Sequence, residues 1–154
     1  MTVTIRRATV ADVPVLAELR HEFTFEDPEQ PIELREDYQE AFAEIIGRGI
    51  TTGRWTVWVA ETDGAIVAHV YVGLIDKIPR PTRQDRWIGY LTNVYTRPEH
   101  RGRGVGAALL DRVTSWATEH DVELLVVWPS EESVGFYERA GFSSTRDPLV
   151  WMRP

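Results

Sequence analysis

Apolar residues recur along this chain in two rhythms, and the switches between them divide it into elements. Thr4–Arg7 alternates and predicts a first strand. From about Val13 the spacing becomes helical, with Leu16, Leu19, Arg20 and Phe23 on one stripe. Asp12 is the expected N-cap, because Pro14 suits a first turn that needs no N–H. Residues 25–33 are acidic and hold two prolines, which predicts a loop. Residues 34–48 return to helix, ended by the glycines at 47 and 49. Two alternating runs, 55–61 and 66–75, flank Asp63-Gly64, a strong hairpin signal. A polar loop over 79–86 leads into a long strand, Trp87–Thr96. The stripe Val105, Ala108, Leu109, Val113, Trp116 and Ala117 predicts a helix over 104–119. The unbroken apolar run 124–128 reads as a strand buried on both faces. A short helix over 131–140, closed by Gly141, and a last strand over 149–152 complete the pattern.

The order is β-α-α-β-β-β-α-β-α-β. Strand, helix and strand at 87–96, 104–119 and 124–128 form a βαβ unit, whose strands run parallel. The remainder reads as antiparallel, so the fold class is mixed α/β. No repeat or linker divides the chain, and one domain over 1–154 is expected, a common domain size.

Composition removes whole classes of function. A net charge of −7 argues against non-specific binding to nucleic acid or an anionic membrane. With no cysteine, disulfides, thiolate zinc sites and cysteine nucleophiles are excluded. His21, His100 and His120 lack metal-ligand spacing, so no metal is expected. The longest apolar run is far too short to span a bilayer, and the N-terminus lacks the apolar core of a signal peptide. A soluble cytoplasmic domain follows as the expectation. Lys77 is the only lysine and follows no glycine-rich loop, which rules out a P-loop.

The chemistry concentrates at Arg101-Gly102-Arg103-Gly104-Val105-Gly106-Ala107, which leaves a strand and opens a helix. A helix start presents unpaired N–H groups and roughly half a positive charge. Three glycines in five positions let a diphosphate approach the backbone, and Arg101 and Arg103 add attraction. The plainer alternative is a tight turn whose glycines only satisfy unusual backbone angles. A dinucleotide fingerprint does not fit, since G-x-G-x-G replaces G-x-G-x-x-G.

The run VYTRPEHRGRGVGAALL resembles the signature of the GNAT (Gcn5-related N-acetyltransferase) superfamily, whose Arg/Gln-x-x-Gly-x-Gly/Ala pattern falls on Arg101, Gly104 and Gly106. WPSEESVGFYERAGF, at 128–142, is similar to that family's later motif. The match covers about 88–142. The resemblance implies a central, mostly antiparallel sheet with a splayed parallel strand pair and helices on both faces. It implies transfer of acetyl from acetyl-CoA to a primary amine by direct attack in a ternary complex. The pantetheine arm would pair with Val94, Tyr95 and Thr96, and the pyrophosphate with the N–H groups of 102–107. Tyr137 would protonate or stabilise the leaving thiolate. Ser130 and Ser133 stand where the family often has asparagine and a small residue, and would bond the pantetheine with shorter reach.

The resemblance fails at Leu125, where some members carry a glutamate or histidine base. An amine with pKa near 10 must still lose a proton. Tyr90 and Asn93, on the strand before the loop, are the candidates to hold a relaying water; Glu61, His69 and Asp85 are alternatives. The family's acceptor site would fall on 23–38 and 79–86. The first stretch carries Glu22, Glu26, Asp27, Glu29, Glu33, Glu36 and Asp37 within or beside it, which would draw a cationic amine or simply be solvated. Arg80, Arg83 and Arg86 oppose that attraction. Trp55, Trp58 and Trp87 are pocket or core. The expected acceptor is a small molecule or a peptide amine, and a homodimer is one assembly the chain could form. A non-catalytic acyl-CoA sensor is the alternative that Leu125 keeps open.

Overall fold

The computed structural model describes residues 2–29, 33–144 and 149–153. Among them, five strands form one sheet in chain order: β1 (Thr4–Arg7), β2 (Trp55–Thr62), β3 (Ala65–Asp76), β4 (Trp87–Thr96) and β5 (Val122–Val126). The first four are antiparallel and β4–β5 is parallel. Asp63 and Gly64 have φ of 51° and 79°, so the β2–β3 hairpin takes the double left-handed turn that matches strand twist.

Both faces of the sheet are covered. On one face α3 (Val105–Glu119) packs Leu109, Leu110, Val113 and Trp116 against Trp58, Ala60, Val70, Val72 and Leu91. On the other, α1 (Val13–Phe25) and α2 (Tyr38–Thr52) pack Leu16, Leu19 and Ile46 against Val57, Val59, Ile66 and Tyr71. Successive β2 residues point to opposite faces, so β2 is buried on both. α4 (Val134–Arg139) follows β5 and contributes Tyr137 to the first face.

Several boundaries differ from the sequence pattern. Asp12 does stand at the N-cap of α1, but its side chain makes no capping bond to the helix. Its carboxylate turns back to accept the Thr9 N–H at 2.7 Å and to pair with Arg6 at 2.8 Å, which holds its pKa down to about 2. α2 begins at Tyr38 rather than 34 and runs through Gly47 and Gly49. Gly49 is there for space: a Cβ would sit 2.3 Å from the Trp55 ring. The helix stops instead at Gly53, in the left-handed region at φ 75°. β5 ends at Val126, not 128, and is an edge strand whose Leu124 is exposed, so burial on both faces does not hold. Residues 149–152 form no strand, and Leu149, Val150, Trp151 and Met152 are exposed.

One buried polar residue ties the sheet's centre together. His69 on β3 is fully buried, and its Nδ1–H donates to the Asn93 carbonyl of β4 at 2.7 Å. Burial pushes its pKa down to about 4, so the ring is neutral. Unfolded histidine titrates near 6.5, so between these values the unfolded chain holds more protons and acid favours unfolding. Stability is expected to fall from about pH 6.5 towards pH 4, by roughly 3 kcal/mol in all. Urea midpoints measured across that window check this; a His69→Gln variant should lose the dependence there.

Candidate active site

After Tyr90 the sheet opens. β4 and β5 are paired from Trp87↔Val122 to Tyr90↔Val126 and no further, while β4 continues to Thr96. Its other edge stays bonded to β3, with Tyr71↔Thr92 and Ala68↔Thr96. The register skips between these points. Asn93 and Val94 stand opposite Val70 alone, and Asn93 adopts φ 51°, so β4 carries a bulge. The Asn93 carbonyl is held by His69, and its Oδ1 accepts from Arg20 Nη1 at 3.1 Å.

The opening is a cleft of about 1190 Å³. Its floor is β4 from Tyr90 to Thr96. One wall is α1 through Arg20, Phe23 and Glu26; the other is residues 127–130, Ser133, Phe136 and Tyr137. Gly102, Gly104, Val105, Gly106 and Ala107 close one end.

That end presents unpaired amide donors. Gly102 and Gly104 take φ of 70° and 77°, and the space where a side chain would project is open. The first helical bond of α3 joins the Ala108 N–H to the Gly104 carbonyl at 3.0 Å. The N–H groups of Val105, Gly106 and Ala107 ahead of it are the helix's orphan donors. Gly106 has a different purpose: a Cβ there would lie 3.2 Å from the Phe136 ring, so it sets the approach of α3 to α4.

The two arginines of the loop are placed differently. Arg101 lines the cleft with its side chain already engaged. Its Nη2 binds Glu26 at 2.6 Å, its Nε donates to the Thr96 carbonyl at 2.8 Å, and its guanidinium lies over Tyr95. Arg103 does not line the cleft.

Tyr137 is buried apart from its access to the cleft, and its hydroxyl bonds no described residue. Desolvation raises its pKa to about 12, so it stays a phenol at neutral pH. Tyr90 lies in the cleft edge-on to Trp128, with ring centroids 5.5 Å apart. Ser130 and Ser133 reach the cleft, but Ser130 Oγ donates to Ser133 Oγ and Ser133 Oγ to the Ser130 carbonyl, both at 3.0 Å. Their hydroxyl protons are spent within the turn.

The alternative bases lie elsewhere. Glu61 pairs with Arg6 at 2.6 Å, Asp85 faces Arg83 at 3.9 Å, and His69 is enclosed. None of them lines the cleft. Leu125 fills the space over Gly89, where a Cβ would lie 2.5 Å from its Cδ2. Residues 79–86 are absent from the lining, because they precede β4 and the cleft forms at its far end. There Lys77, Arg80 and Arg83 converge on Glu123. Of the acidic stretch only Glu26 lines the cleft. Glu22 pairs with Arg97, Glu26 with Arg101 and Asp37 with Arg35, so part of its charge is matched within the fold. Residues 30–32 of that stretch lie outside the described residues. Trp58 is core, Trp55 packs over Gly49 and Gly73, and Trp87 stacks under Arg86.

Sequence reading missed Arg20, Trp128 and Phe136 as cleft residues. Arg20 had a visible signal, since a cation interrupts an otherwise apolar stripe. Among the described residues no group of three or more His, Cys, Asp or Glu could hold a metal, and no helix is long and apolar enough to cross a membrane.

In this cleft an opened sheet edge meets the unpaired amide donors at the start of α3. The chain matches the Acetyltransferase (GNAT) family over residues 14–142. It is 30% identical over 156 residues to an aminoglycoside N(6')-acetyltransferase type 1 of Stenotrophomonas maltophilia, covering 95% of this chain and 94% of that one. It is 33% identical over 64 residues to a glucosamine 6-phosphate N-acetyltransferase of Trypanosoma brucei brucei, covering 42% of this chain. Of two relatives matched, the chain spans only 32% and 44% of the length. A predicted acetyltransferase of Clostridium acetobutylicum, solved with acetyl-CoA, superposes with a TM-score of 0.82 at 24% identity, over 98% of this chain and 96% of that one, and shares the fold. The chain therefore belongs to the GNAT family of acetyltransferases.

Gly104→Asp tests the anion loop. Nothing crowds the position, and Asp is among the residues least strained by its left-handed backbone, at a cost of about 1 kcal/mol, so a negative charge enters the site at modest cost to stability. Affinity for coenzyme A, measured by calorimetry on the folded variant, is expected to drop at least about tenfold with a small loss of melting temperature; equal affinity would contradict the assignment.

Proposed function

We propose that residues 1–154 act as one N-acetyltransferase domain that moves acetyl from acetyl-CoA to a primary amine of a small-molecule acceptor, by direct attack in a ternary complex. The observation that carries this reading is the continuity of the cleft: orphan amides at the start of α3 lead straight onto the unpaired edge of β4, and Tyr137 stands over that edge. The named relatives take amines on sugars, which agrees with a small acceptor.

Each part of the cleft has a task. The N–H groups of Val105, Gly106 and Ala107, with the open turn at Gly102 and Gly104, receive the diphosphate. The β4 backbone at Val94, Tyr95 and Thr96 pairs with the pantetheine amides. Bound acetyl-CoA supplies a thioester whose C–S bond breaks as the amine nitrogen bonds the carbonyl carbon. Tyr137 donates a hydrogen bond to the departing sulfur. With the phenol near pKa 12 and an ordinary thiol near 8.5, complete transfer of its proton is uphill, so stabilisation by a shared proton is the favoured role. The amine's proton leaves through water held near Tyr90 and Asn93, polar side chains on the β4 floor of the cleft. Ser130 and Ser133 offer lone pairs rather than protons.

Thiol release from acetyl-CoA across an amine panel tests the reading. Turnover with any amine supports it, whereas tight coenzyme A binding with no turnover supports a sensor instead. For Tyr137→Phe, kcat should fall about 10- to 100-fold with little change in the KM for acetyl-CoA; an unaltered kcat would reduce the residue to packing.

The pH profile follows from the same groups. Only the neutral amine attacks, so kcat/KM should rise about tenfold per pH unit below the acceptor's own pKa. Tyr137 keeps its proton well above pH 10, so it imposes no alkaline loss in the accessible range. An alkaline limb below pH 9 that disappears in Tyr137→Phe would contradict this.

A further inference from the structure

The α1 wall of the cleft carries acids and arginines in near-perfect pairing, with one exception. Arg97 grips Glu22 through two bonds of 3.0 and 2.8 Å, and Arg101 holds Glu26 at 2.6 Å. Arg20 has no carboxylate among the described residues. Its recorded partners are the Asn93 amide oxygen at 3.1 Å and the Phe23 ring, whose centroid lies 5.5 Å away. Both orient the guanidinium and neither neutralises it. Arginine cannot shed its charge, and only one of its five donors is used on Asn93.

Its position gives that charge a purpose. Asn93 sits on the bulge where β4 has left β5, three residues beyond Tyr90, and Arg20 lines the cleft from the α1 side. The diphosphate end lies away from it, at the start of α3, where backbone amides serve the anion. Arg20 therefore faces the part of the cleft left for the acceptor. A planar fork of N–H donors, half buried and already aimed, is matched to a carboxylate or a phosphate.

We infer that Arg20 receives an anionic group of the acceptor, so that the substrate is an amine that also carries a carboxylate or phosphate rather than a polycation. The inference rests on the acetyl-transfer reading. The acids along α1 do not oppose it, because Glu22 and Glu26 are each held by an arginine.

Matched pairs of acceptors test it, with the full chain, acetyl-CoA and thiol release as readout. One pair is glucosamine 6-phosphate against glucosamine; the other is 5-aminopentanoate against 5-aminopentanamide. The member of at least one pair that bears the anion is expected to show kcat/KM at least about tenfold above its congener without it, and the pair that responds tells phosphate from carboxylate. In Arg20→Met, which keeps the apolar stem, the ratio should fall close to one; Arg20→Lys should restore part of it. A ratio of two substrates is read on the folded fraction alone, so partial misfolding does not disturb it. Members without the anion equal to or better than those with it in both pairs would overturn the inference and leave acetyl transfer standing, as would an Arg20→Met ratio equal to wild type. Turnover with no amine of any charge would remove the acetyl-transfer reading and this inference with it.

Discussion

Backbone amides inside a protein need partners, and β4 leaves a run of them without strand partners on one side. From Trp87 to Tyr90 its outer edge is bonded to β5; from Leu91 to Thr96 no described strand lies there. A chain that kept such an edge open by chance would expose it to aggregation or close it with another strand. Here the bulge at Asn93 holds it open. The bulge is fixed from both sides, by His69 through the carbonyl and by Arg20 through the side chain, and neither of these two residues lies next to it in sequence. The cleft follows from that one divergence, and with it the proposed seat for a pantetheine arm and the proposed place of the acceptor.

The local devices around it serve different ends although they look alike in sequence. Gly102 and Gly104 have positive φ and open surroundings, whereas Gly106 is small so that Phe136 can approach. Gly49 and Gly89 are also matters of space, under Trp55 and Leu125. Conformation and clearance are separate reasons for the same residue, and only the three-dimensional neighbourhood distinguishes them.

That distinction marks what was legible beforehand. The hairpin at Asp63-Gly64, the extent of β4 and the helix start after Gly104 are local effects, written in adjacent residues, and they appear as read. The termini of α2 were misplaced because Gly47 and Gly49 look like stops until Trp55 is seen lying over the second. Residues 124–128 read as a buried strand because apolar character alone cannot show that β5 is an edge or that Trp128 turns into the cleft. The acidic run looked like bait for a cation, yet its partners Arg97 and Arg101 come from a strand end and a loop more than seventy residues away. Long-range pairing of this kind leaves no periodicity to read. Arg20 belongs to the same class: the stripe contained it, but its lack of a counter-charge is a property of the assembled wall.

The engagement of Arg101 bears on how the cleft responds to its medium. With that guanidinium already bound to Glu26 and the Thr96 carbonyl, and Arg103 outside the lining, the proposed diphosphate seat would rely chiefly on neutral peptide dipoles held at fixed angles. Mobile ions screen free charges over a Debye length of about 8 Å at 0.15 M, but act weakly on short-range bonds to backbone N–H. A seat of this kind would answer to contour more than to ionic strength, and would select among phosphates by fit where a ring of bare cations would gather them all.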